Sequence, residues 1–112
     1  MNEQSLLHRL ERIEYHQKLL IKIVNDPKSD FYKLVVENGI SENEVKHFFK
    51  LCDELSIKLE EQKAEGFVYF HPLFHQLTAA LPPTLEMKEC LKACENQGLY
   101  VPLMQEFLSY FD

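Results

Sequence analysis

The sequence predicts an all-α single domain of about six helices, opened by one long heptad-patterned helix. Three observations carry that expectation. Apolar residues recur at helical spacing through most of the chain. Cap residues, prolines and glycines stand at the ends of the periodic segments, and three Gly and five Pro in 112 residues leave room for long regular elements. Only Phe67-Val68-Tyr69-Phe70 reads as a strand, and it has no second run to pair with.

The first helix is expected over residues 2–25. Leu6, Leu10, Ile13, Gln17, Leu20 and Val24 are spaced 4, 3, 4, 3, 4, which keeps a seam facing one neighbour. Leu6, Ile13 and Leu20 fall at d; Leu10, Gln17 and Val24 fall at a. Arg9 at g would face Glu14 at e of a parallel neighbour, with opposite charge. Gln17 is the one polar residue of the seam. A buried amide needs a partner, and a second Gln17 across an axis supplies one. Leu19, Leu20, Ile21, Ile23 and Val24 leave only Lys22 polar near the end, so the second half is expected to be surrounded by helices. A helix of this length runs ~36 Å. A compact chain of this size is about 34 Å across, so the helix crosses the domain or projects from it.

The later elements follow from local signals. Asn25-Asp26-Pro27 stops the first helix, and Ser29 or Asp30 is placed to cap a short one with Phe31, Leu34 and Val35 inward. Asn38-Gly39 ends it. Ser41 with Glu44 forms a capping box. Val45, Phe48, Phe49, Cys52, Leu55 and Leu59 then make one apolar stripe, which dies in Glu60-Glu61 and closes at Gly66. Residues 67–70 are expected as an extended, buried connector. Pro72 opens a helix with Phe74, Leu77 and Leu81 inward. After Pro82-Pro83, Thr84 is placed to cap a helix carrying Met87, Cys90, Leu91 and Cys94, closed by Gly98. Pro102 starts the last helix, where Leu103, Met104, Phe107, Leu108 and Phe111 complete the core and tie down the C-terminus.

Apolar residues at 46% and charged residues at 27% place the chain in the globular range. The net charge is −6 and the basic residues are scattered, which disfavours nucleic acid and an anionic membrane as partners. Met1-Asn2-Glu3-Gln4-Ser5 lacks the flank of a secretion signal, and no apolar run approaches the ~20 residues that span a bilayer. A cytoplasmic location is expected. Cys52, Cys90 and Cys94, an odd number, then read as reduced, buried thiols.

Candidate chemistry is thin. His71 and His75 with Cys90 and Cys94 would suit tetrahedral zinc, but three residues separate the thiols where two are usual. Pro72 also sets the two imidazoles on different faces, and both cysteines continue an apolar stripe. Cys52 lies between Phe49 and Leu55, with His47 on another face, so a nucleophile–base pair is not expected. His16 at g could titrate near neutral pH, though a solvated or partly packed histidine is the plainer reading for it and for His8. Residues 31–58 can be read as a helix-turn-helix. Its recognition helix would begin Glu42-Asn43-Glu44, carboxylates that phosphate repels. No catalytic residue, cofactor or metal is expected.

Four segments carry a resemblance: Leu6-Leu7-His8-Arg9-Leu10, Phe31-Tyr32-Lys33-Leu34-Val35-Val36-Glu37, Phe67-Val68 to His71-Pro72, and Gln97-Gly98-Leu99-Tyr100-Val101-Pro102-Leu103. Across its whole length the chain resembles the YhaI-like proteins, uncharacterised cytoplasmic proteins of Bacillus and its relatives. The resemblance implies a multihelical fold and an intertwined homotrimer. It implies no activity, and no functional residue carries over. The expected role is a non-enzymatic scaffold or protein-interaction module that pairs with itself, or with another cytoplasmic protein. The alternative is a small DNA-linked transcriptional regulator using residues 31–58.

Overall fold

The computed structural model describes residues 2–111, and all of their regular structure is helical. The elements are α1 (Glu3–Asn25), α2 (Asp30–Glu37), α3 (Glu42–Ala64), α4 (His71–Ala80), α5 (Met87–Gln97) and α6 (Val101–Leu108). Each sequence-predicted helix is present. The extents of 52 × 32 × 24 Å and a radius of gyration of 15.6 Å exceed the ~13 Å of a compact chain this long. The excess comes from α1, whose residues 2–14 are all exposed while its second half lies on α2.

The body is a layered packing in which α2 meets α5, α5 meets α6, and α3 lies against α4 and α6. Its core joins Phe31, Val35, Phe48, Cys52, Leu55, Leu73, Leu77, Leu91, Met104 and Phe107. The Phe31 ring stacks on Phe48 at 5.4 Å between centroids and lies equally close to Phe49, fastening α2 to the first half of α3. Tyr15 and Leu19 dock α1 on this body, helped by His16. Its Nε2 lies 2.6 Å from the Ile40 carbonyl oxygen. A carbonyl only accepts, so that nitrogen carries the proton.

Several ends were set locally. Asn2 caps α1, its side chain accepting from Ser5 N–H at 2.7 Å. Ser41 and Glu44 complete the capping box of α3. Gly98, at φ +81, ends α5 in the left-handed conformation. Other ends were not. Ser29 stands at the cap of α2, but its hydroxyl donates to the Asp26 carbonyl. The open N–H groups of Phe31 and Tyr32 donate instead to Gln97 Oε1, at 2.9 and 3.2 Å, from the far end of α5. Gln97→Ala removes this cap. It is expected to destabilise the fold by about 1–2 kcal/mol in urea titrations, with no change in sedimentation mass.

Two expectations are corrected here. Thr84 does not cap α5. Pro82-Pro83-Thr84-Leu85 closes its own turn, with Leu85 N–H donating to the Pro82 carbonyl at 3.0 Å. The cap falls to Glu86, whose carboxylate accepts from Lys88 and Glu89 N–H. The connector 67–70 is not buried as a unit. Phe70 is, whereas Phe67, Val68 and Tyr69 stand exposed. Phe111 packs on Phe74 at 5.9 Å, and the terminal Asp112 lies outside the described residues.

Candidate interaction surface

The heptad residues of α1 share one face, and that face is turned away from the body. α1 docks through Tyr15, His16 and Leu19, heptad positions f, g and c, and Ile23, at g, is partly buried. The a and d residues Leu6, Leu10, Ile13, Leu20 and Val24 are left between 46% (Leu20) and 83% (Val24) exposed, and Gln17 is exposed among them. Leu7 and Ile21, both at e, widen the strip. The expectation that the second half of α1 is enclosed is corrected for the single chain. Only Leu19 is buried there, because α2 covers one side of the helix and the other is left exposed among the described residues. A shallow apolar depression lined by Leu20, Ile21, Val24 and Asn25 ends the strip. Each such side chain regains on the order of 1 kcal/mol when its exposed half is covered, since full burial is worth about 1.5–3. A contiguous apolar strip this long is unusual on a monomer.

The other candidates are not gathered into sites. His71 is stacked between Tyr69 (4.5 Å) and Tyr110 (4.0 Å), at one end of α4. Cys90 and Cys94 lie fully buried on α5. Among the described residues, no group of three or more His, Cys, Asp and Glu is placed to hold a metal ion. The first turn of α3 presents Glu42, Asn43 and Glu44 to solvent, so the helix-turn-helix reading would set carboxylates against phosphate. An open cleft of about 570 Å³ at the start of α1 is lined by Asn2, Gln4, Ser5, His8, Arg9, Arg12 and Ser41. It lacks the apolar enclosure of a small-molecule site.

Two of the thiols are held in the protonated form, which disfavours them as nucleophiles. Burial, with Cys90 and Asp53 nearby, holds Cys52 well above the ordinary thiol range. A hydrogen bond with Cys90, and then burial, does the same for Cys94. Tyr15 is pushed up to about 12 by burial, with Glu42 and Tyr32 adding to it. The thiols carry a consequence for stability. Both stay protonated in the folded chain at a pH where unfolded cysteine ionises, ~8.5. Their contribution is fully present below that pH and is lost as pH rises towards the folded values. Stability should fall by ~1.4 kcal/mol per pH unit per thiol above pH ~8.5. Urea midpoints between about pH 8 and pH 9.5 in reductant check this, and Cys94→Ala should flatten the slope.

No helix of the described residues is long and apolar enough to cross a membrane. Compared with known protein families, residues 2–112 match the family described as protein of unknown function, DUF1878.

Proposed function

The chain belongs to the DUF1878 family, and from that premise we propose a protein-interaction module that assembles with copies of itself through the exposed face of α1. The observation that carries this is the coincidence of two independent patterns. The a and d residues of the heptad seam, Leu6, Leu10, Ile13, Gln17, Leu20 and Val24, are the residues that intramolecular packing leaves uncovered. A parallel arrangement sets Arg9 of one copy beside Glu14 of the next and brings the Gln17 amides together at the axis. The e-position Leu7 and Ile21 broaden the strip beyond what one neighbour covers, which favours more than two copies. The resemblance to the YhaI-like proteins of Bacillus supports a trimer in an intertwined arrangement. The chain acts as a non-enzymatic scaffold in the cytoplasm, where its free thiols stay reduced.

Sedimentation equilibrium tests the reading. A mass that stays at one 13.3 kDa chain at micromolar concentration sinks it. Gln17→Leu, which trades a buried amide for an apolar side chain, should raise the thermal midpoint and change or blur the copy number. No effect on either would remove Gln17 from the seam.

A further inference from the structure

We propose that Phe67-Val68-Tyr69 is a docking strand that adds to an extended segment of a second protein, one with apolar residues at alternate positions and Lys or Arg at its ends. Connectors of this kind are ordinarily polar. This one exposes three consecutive apolar residues, and Val68, at 91%, is the most exposed large hydrophobic of the described residues. Its backbone is equally unsatisfied. The N–H groups of Val68 and Tyr69, and the carbonyls of Phe67, Val68 and Tyr69, take no part in any hydrogen bond among the described residues. Free main-chain groups beside β-branched and aromatic side chains are what an added strand uses.

The segment is also held in place. Phe67 N–H donates to the Gln62 carbonyl at one end, and Phe70 is buried at the other. Tyr69 stacks on His71, which stacks on Tyr110. A segment fixed in this way loses little freedom on binding.

Charge selects the partner. Glu60, Glu61 and Glu65 lead into the segment and are exposed, whereas the nearby Lys63 is engaged by Glu106 at 3.7 Å and lies over the Phe70 ring. A second copy would bring the same carboxylates and, over residues 64–71, no cation. A foreign strand with basic ends compensates them.

The test uses the full chain and a fluorescent peptide of alternating Val and Thr with Lys at both ends. Anisotropy should show it binding ~10-fold tighter than the same peptide ended in Glu. Alternate N-methylation of the peptide should cost ~10-fold, and so should Val68→Pro, which removes one donor. Glu60→Gln with Glu61→Gln and Glu65→Gln should erase the preference for Lys. Circular dichroism checks that each variant is folded. Val68 is so exposed that Val68→Pro should leave the fold and the sedimentation mass unchanged. The proposal is overturned by no saturation at about 1 mM peptide, by equal binding of both peptides, or by undiminished binding to Val68→Pro. It is equally overturned if Val68→Pro lowers the native mass, since a second copy would then be the occupant.

Discussion

Leu10→Asp combined with Ile13→Asp is expected to release a folded single chain of 13.3 kDa from the proposed assembly. Both side chains are about half exposed on α1 and lie outside the buried core, so the substitutions remove little intramolecular packing. In the assembly each would place a carboxylate in an apolar seam beside its own copies. A buried, unpaired charge of that kind costs several kcal/mol, and the loss recurs for every copy. Sedimentation should therefore report monomer while the helical dichroism of α2 to α6 persists. Two results are incompatible with the seam: native mass retained, or unfolding of the whole chain. The second would mean that Leu10 and Ile13 serve the body.

The largest intramolecular loss is expected from Phe107→Ala. Phe107 is fully buried on α6, with its ring edge-on to Phe74 of α4 at 5.4 Å. It holds α4 and α6 together, and Leu55 and Leu77 line the same core. Replacing it leaves a void in the core beside the Phe74 ring. The expected cost is about 3–5 kcal/mol, a large part of the stability of an ordinary domain. Denaturant unfolding should show the midpoint falling with the slope unchanged. A loss under about 1 kcal/mol would mean that α4 and α6 close around the missing ring.

The helices were legible because their signals are local. The Ser41–Glu44 box, Gly98 beyond α5 and the stripe from Val45 to Leu59 each lie within a few turns of one another in the chain. The misses have long-range causes. Gln97 caps α2 from 66 residues away, and no local pattern announces that. Tyr100 adopts φ +50, which a tyrosine rarely does, and its hydroxyl donates to the Phe49 carbonyl 51 residues earlier. The connector misled for a different reason. Apolar composition says that a segment prefers cover but not whether the chain provides any, and here it covers Phe70 alone. The same ambiguity applies to α1. The seam could be read from spacing, but its outward direction needed the docking of α1 on α2, with Tyr15 and Leu19 inward, to be known.

If α1 assembles as proposed, its exposed first half ties the local order of the N-terminus to dilution. A helical segment with little tertiary cover is marginal in water, so in the proposed assembly the exposed residues 3–14 would draw their regularity from neighbouring copies. Amide protons there should exchange with solvent faster as the protein is diluted, while those of α3 and α6 keep a constant rate. Concentration would then act on this protein as a control of how much of its chain is structured.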